Sequence, residues 1–190
     1  MLNISFSPFP VLETEHLILR RPTMHDVDEV YKYRSDPELM QFIPHRLAHN
    51  KEEVVEAIER IDRMIDTNAG INWAITKKGE DLLLGMVGYV HLYMDRHRGE
   101  IGYMLHTPYH GKGIIQEAFQ AVVDYGFSVM KLHSIEAIVN CLNIPSKKLL
   151  ERAGFSNDAL FRDYLHHDGK YMDVNVYSLL ADTSRDKYYV

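Results

Sequence analysis

The chain has 190 residues, a formal net charge of −6, 46% apolar residues and 25% charged ones. That balance fits a single soluble globular domain over 1–190, with a core at about 10–182. It argues against nucleic-acid binding through a basic face. No apolar run reaches membrane-spanning length, and the segment MLNISFSPFP has neither the basic nor the long apolar stretch of a signal peptide. The single cysteine, Cys141, excludes an internal disulfide and suits a reducing cytoplasm.

After an opening strand, Met24, Val27, Val30 and Tyr31 recur at helical spacing, so Thr23 to Arg34 reads as a helix that Ser35-Asp36-Pro37 stops. Lys51 to Met64 is a second amphipathic helix, with Val54, Val55, Ile58 and Ile61 on its apolar face. Strands follow at about Trp73 to Thr76 and Leu84 to Leu92, parted by the turn Lys77–Asp81. Arg96-His97-Arg98-Gly99 reads as a charged turn, and Glu100 to Leu105 as the next strand. The rest reads as a helix from Ile114, a strand from His133 to Asn140, a helix opened by Asn143, and a last pair of strands. No repeat, low-complexity tract or linker divides this mixed α/β order.

The segment Glu100–Gln120 carries the most chemistry. A short β-prone run leads into Pro108-Tyr109-His110-Gly111-Lys112-Gly113, after which Ile114, Ile115, Ala118, Phe119, Val122 and Val123 mark one helical face. Strand, glycine loop and helix N-terminus together offer backbone N–H groups to a phosphate. The glycine spacing is neither G-x-G-x-x-G nor a P-loop, because no third glycine follows Gly113 and Lys112 lies between the two glycines. The pattern predicts a phosphate-bearing cofactor.

A second block agrees. Asn143 is a good N-cap, Pro145 is tolerated in a first helical turn, and Gly154 is a C-terminal stop before Phe155. Together, His110-Gly111-Lys112-Gly113-Ile114-Ile115 and the Asn143, Ser146, Gly154, Phe155 pattern resemble the acetyl-CoA-binding motif and following helix of the GNAT N-acetyltransferases. The wording from Gly111 to Ala118 is similar to the RimJ/RimL-type branch, which acts on ribosomal-protein N-termini. The opening Leu12–Pro22 resembles that branch's first strand, and Leu160–Leu180 its closing hairpin, with His167-Asp168-Gly169-Lys170 as the turn. Two positions depart from the motif: His110 stands for Gln or Arg, and Ile115 for Gly or Ala.

The resemblance implies an α/β (α+β) GNAT fold, a mostly antiparallel sheet whose central strands splay to admit acetyl-CoA, with CoA as product. It implies pyrophosphate binding on the N–H groups of Gly111, Lys112, Gly113, Ile114 and Ile115, with His110 beside them. Backbone contacts to the pantetheine come from Met104 and Leu105, and Asn143 caps its helix or binds the same arm. Acetyl transfer also needs a neutral amine and a donor to the departing sulfur. An N-terminal amine titrates near ~8 and needs only a modest base, whereas holding a Lys side chain neutral costs roughly 4 kcal/mol.

Glu100 is the expected base, through a water, with His91 in reserve. Many GNAT enzymes place a tyrosine acid where this chain has Leu150, so Ser146 is the expected donor to sulfur. Phe42, Tyr89 and His91 are expected on the acceptor side, with Tyr164 and Tyr171 as further wall candidates. Cys141 reads as a small residue after a strand rather than a nucleophile. The eleven histidines include no H-x-x-x-H, and adjacent His166 and His167 cannot share a strand face, so no metal site is expected.

The expected activity is acetyl transfer to a primary amine, a protein N-terminal α-amine first. A small-molecule acetyltransferase (polyamine, amino acid or antibiotic) and a non-catalytic acyl-CoA-binding module stay open at this point. The expected partner is the amine acceptor, with no nucleic acid and no membrane. Monomer and homodimer are equally compatible with the sequence.

Overall fold

The computed structural model describes residues 2, 4–167 and 169–181. Its frame is one eight-stranded sheet in the order β1-β2-β3-β4-β5-β6-β8-β7. The strands are β1 Leu12–Glu13, β2 Leu17–Arg20, β3 Ile71–Lys77, β4 Gly85–Tyr93, β5 Arg98–Leu105, β6 Ser134–Asn140, β7 Ser156–His167 and β8 Lys170–Leu180. The helices are α1 Val27–Arg34, α2 Pro37–Met40, α3 Lys51–Asp66, α4 Ile114–Ser128 and α5 Ile144–Arg152. All neighbouring strands pair antiparallel except β5 and β6.

Alternation along the strands sends side chains to two apolar layers. Trp73, Ile75, Val87, Tyr89, Ile101, Ile135, Ala137 and Val139 pack with Phe119, Val122 and Val123 of α4 and Leu149 and Leu150 of α5. The intervening Ala74 and Met86 join Val30 and Tyr33 of α1 and Val54 and Ile58 of α3 in a second cluster. Each fully buried aliphatic chain here contributes about 1.5–3 kcal/mol. Caps set the helix starts. Asp36 accepts from Glu38 N and Leu39 N, Asn50 from Glu53 N, and Asn143 from Ser146 N.

Three boundaries differ from expectation. Leu12–Pro22 is two short strands rather than one, because the turn at Thr14–His16 folds Leu12 back against Leu19. The α4 residue Glu117 holds that turn, accepting from Thr14 Oγ1 at 2.5 Å and from His16 N at 2.8 Å. Thr23 caps a single 3-10 turn, Met24–Asp26, before α1 begins. Finally, Arg98 and Gly99 belong to β5, not to a turn, since they pair with both β4 and β6. The closing hairpin forms as expected, though Asp168 of its turn lies outside the described residues.

Candidate active site

Strands β5 and β6 pair only at Arg98–Ser134, Gly99–Ile135 and Glu100–Glu136. Beyond Glu100 and Glu136 no ladder bond joins them, so the facing edges of Ile101–Leu105 and Ala137–Asn140 part. Both connections leave from this open end: β5 runs into the glycine loop and α4, and β6 into α5.

The loop is built on positive φ. Gly111 has φ +72° and Gly113 φ +79°, with no protein atom within 4 Å of a Cβ built at either. Conformation, not crowding, therefore demands glycine there. Gly113 is the N-cap of α4 and supplies no capping side chain, so the first-turn N–H groups keep no side-chain acceptor. Those bare N–H groups and the helix dipole favour an anion. A hydrogen bond of 2.8 Å between His110 Nε2 and Leu105 O ties the loop back to β5. Lys112 and Lys77 bring their ammonium groups to 5.8 and 6.0 Å from the Tyr109 ring centre, which sets two cations beside the loop.

Across the open end, Asn143 Oδ1 accepts from Ser146 N at 3.1 Å and fixes the first turn of α5. The Ser146 hydroxyl meets the Tyr103 hydroxyl of β5 at 2.5 Å. The Tyr103 phenol is also 3.4 Å from the Ser146 carbonyl. Burial pushes the Tyr103 phenol up to about 12, a shift that the Ser146 hydrogen bond opposes. Phe119 stands edge-on to the Tyr103 ring, with centroids 5.2 Å apart. One helical turn further along α5, Leu150 is fully buried in the core.

The other face of the sheet carries the titratable groups. A bulge in β4 breaks the register between Tyr89, paired with Ile101, and His91, paired with Glu100. An extra residue, Val90, reverses the alternation, so that Tyr89 and His91 face opposite sides. His91 Nδ1 then lies 3.0 Å from Glu100 Oε2, with the carboxylate largely buried and the imidazole exposed. Glu136, beside Glu100 in the parallel register, is held by Arg98 at 3.0 Å. Desolvation, and then the negative charges of Glu100 and Glu136, raise the pKa of Tyr93 on the same stretch.

Two further segments carry residues expected on the acceptor side. The loop after α2 carries Phe42, half-buried, and His45. Desolvation, and then the charges of Arg34, His167 and Arg60, lower the pKa of His45. The hairpin presents exposed aromatics, with Phe161 and Tyr164 stacked at 5.4 Å and Tyr171 at 4.8 Å from His166.

The family described as "Acetyltransferase (GNAT) domain" matches residues 16–156. The chain is 34% identical over 169 residues to the uncharacterized N-acetyltransferase p20 of Bacillus licheniformis, covering 89% of this chain and 95% of that one. The chain belongs to the GNAT acetyltransferases. A crystal structure of a GNAT-family acetyltransferase from Bacillus anthracis superposes with a TM-score of 0.80 at 30% identity, covering 90% of this chain and 98% of that one. A second similar structure, the ribosomal-protein-S5-alanine acetyltransferase of Vibrio fischeri, gives 0.79 at 26% identity, over 91% of this chain and 97% of that one. As a GNAT member, this protein is an acetyltransferase that takes acetyl-CoA as its donor.

Within the GNAT frame, most of the expected site residues fall into three groups. Gly111, Lys112, Gly113, Ile114 and Ile115 lie where the open end meets α4, with Met104 on the parted edge of β5 and Asn143 on the opposite side. His110 and Leu105 are bonded to each other, so the imidazole in the motif's Gln/Arg position braces the loop from within. Glu100 and His91, expected as alternatives, form one pair. Tyr89 is corrected: it is fully buried under α4, its hydroxyl donates to Val122 O at 2.9 Å, and it belongs to the core rather than to an acceptor wall. Sequence reasoning missed Tyr103 and Lys77. The one signal for Tyr103 was a hydroxyl-bearing residue on the strand that enters the loop.

Among the described residues, no group of three or more His, Cys, Asp or Glu is placed to hold a metal ion. No helix among them is long and apolar enough to cross a membrane.

Proposed function

We propose that the acceptor of this acetyltransferase is a protein N-terminal α-amine and that the His91–Glu100 pair deprotonates it. The 3.0 Å contact between these two groups carries the proposal. An α-amine titrating near ~8 is already partly neutral at pH 7, so an exposed imidazole backed by a carboxylate is base enough. The resemblance to the ribosomal-protein-S5-alanine acetyltransferase supports a protein terminus as acceptor. The single cysteine fits a cytoplasmic setting.

Acetyl-CoA supplies a thioester carbonyl open to attack. In this reading, the N–H groups of Gly111, Lys112, Gly113, Ile114 and Ile115 hold the pyrophosphate, with Lys112 and Lys77 at its flank. The parted edge at Met104 offers backbone to the pantetheine, and Asn143 keeps α5 turned toward it. Glu100 and His91 take the ammonium proton and leave the nitrogen lone pair free to attack the thioester carbonyl, and the second proton, shed as the amide forms, passes to solvent. The Ser146 hydroxyl donates a hydrogen bond to the sulfur as its charge develops.

The test has two stages. Acetyl-CoA at ~100 times its dissociation constant stabilises by about 2.7 kcal/mol, a melting shift of several degrees, and ATP gives none. Thiol release is then followed with peptides bearing different N-terminal residues, and with polyamines and free amino acids. Turnover of a peptide terminus above the small amines is expected. Turnover of a polyamine or amino acid alone would move the acceptor to the small-molecule class.

A further inference from the structure

We infer that Tyr103 is a positioning residue for acetyl transfer: its phenol donates to the Ser146 hydroxyl and aims the serine hydrogen at the cofactor sulfur. The inference rests on the reading of Ser146 given above and adds a residue that reading does not use. Three observations carry it. The two hydroxyls meet at 2.5 Å from opposite sides of the β5–β6 opening. A phenol is a stronger acid than an alkyl hydroxyl and so the better donor, and Ser146 Oγ at 2.5 Å takes its one hydrogen, while the Ser146 carbonyl at 3.4 Å lies beyond the ordinary O–H···O range. Phe119, packed in the core, holds the ring edge-on and leaves the phenol one direction.

A serine hydroxyl carries one hydrogen. When Tyr103 fills an acceptor site on Ser146 Oγ, that hydrogen is not spent on the tyrosine and is free for a third group. Ser146 sits in the first turn of α5, at the open end where the strand edges part. The C–S bond breaks with its electron pair on sulfur, and the charge is met by a hydrogen bond rather than by full proton transfer. A thiolate whose conjugate acid titrates near ~8.5 does not strip a proton from a phenol at about 12. The proton that finally reaches the sulfur comes from solvent after release. Leu150, buried where many GNAT enzymes carry a tyrosine, leaves the Tyr103–Ser146 pair as the hydroxyl group at this opening.

The experiment compares wild type, Tyr103→Phe, Ser146→Ala and the double variant, using CoA and desulfo-CoA as probes of thermal stability. Wild type should be shifted more by CoA than by desulfo-CoA, and each variant should lose that difference while keeping the desulfo-CoA shift. In turnover, Tyr103→Phe should lower kcat about tenfold with little change in KM for acetyl-CoA, and the double variant should be no slower than Ser146→Ala, as for two residues in one network. Equal shifts from CoA and desulfo-CoA in wild type would overturn the inference and leave the acetyltransferase reading intact. Full additivity in the double variant would overturn it too. No shift from either probe would instead sink the assignment of the donor site, and this inference with it.

Discussion

His91 and Tyr89 are two residues apart on one strand, yet Tyr89 points into the core and His91 meets Glu100 on the opposite face. The bulge at Val90 produces this reversal, and bulges commonly re-aim side chains beside active sites. It places an exposed imidazole against a carboxylate that the sheet shields. Glu100→Gln should therefore lower kcat/KM by about 10²-fold, the lower end of what a general base contributes. The acetyl-CoA melting shift should persist, because Glu100 lies at the closed end of the β5–β6 opening. His91→Asn should cost less, because the Glu100 carboxylate stays in place. Turnover by Glu100→Gln equal to wild type would remove the pair from the mechanism.

The glycine loop makes a separable prediction. Gly113 and Gly79 both have φ near +80° and no neighbour within 4 Å of a built Cβ. Alanine at either site should cost a similar ~1–2 kcal/mol from left-handed backbone strain. Only Gly113→Ala should also lose the acetyl-CoA shift, since Gly79 lies in the turn between β3 and β4 and supplies no N–H group to the start of α4. Melting both variants with and without acetyl-CoA distinguishes strain from binding; loss of the shift in both would assign it to general destabilisation.

Local signals carried much of the fold. Val54, Ile58 and Ile65 recur at helical spacing and are buried in α3, and Asn143 and Gly154 mark helix ends where capping chemistry puts them. The loop at Gly111–Gly113 was legible for the same reason, because positive φ selects glycine locally. The site's pairings were not legible in the same way. Tyr103 and Ser146 are 43 residues apart, and only the sheet and α5 bring them together. Glu100 and His91 could be named singly, but their meeting depends on a register shift that no local pattern records. Tyr89 misled because a strand aromatic reads alike on either face. Its burial needs Gly99 and Gly126, where a Cβ would lie 2.7 and 2.0 Å from the tyrosine.

The correction at Tyr89 can be checked directly. Its hydroxyl donates to the Val122 carbonyl inside the core, and desolvation drives its pKa well upward. Tyr89→Phe should cost about 1 kcal/mol for the lost buried hydrogen bond, a melting drop of roughly 2–4 °C for a chain of this size. KM for the peptide acceptor should not move. A raised acceptor KM with an unchanged melting temperature would return Tyr89 to the acceptor wall.

Glu117 ties the first turn of α4, next to the glycine loop, to the turn between β1 and β2. Desolvation pushes its carboxyl upward, but the hydrogen bonds from Thr14 Oγ1 and His16 N, together with the His16 ring, outweigh it and hold the pKa below the usual glutamate value. A carboxyl depressed in the folded state contributes stability that is present above its unfolded pKa and lost as pH falls through the folded one. The chain should therefore lose stability as the medium is acidified below the ordinary glutamate range near ~4.3. Glu117→Gln should flatten that part of the melting-temperature profile and lower the plateau at neutral pH. Because the contact braces the start of α4, the same variant should bind acetyl-CoA more weakly at pH 7. An unchanged slope between pH 3 and 5 would show that the acid sensitivity resides in other carboxylates.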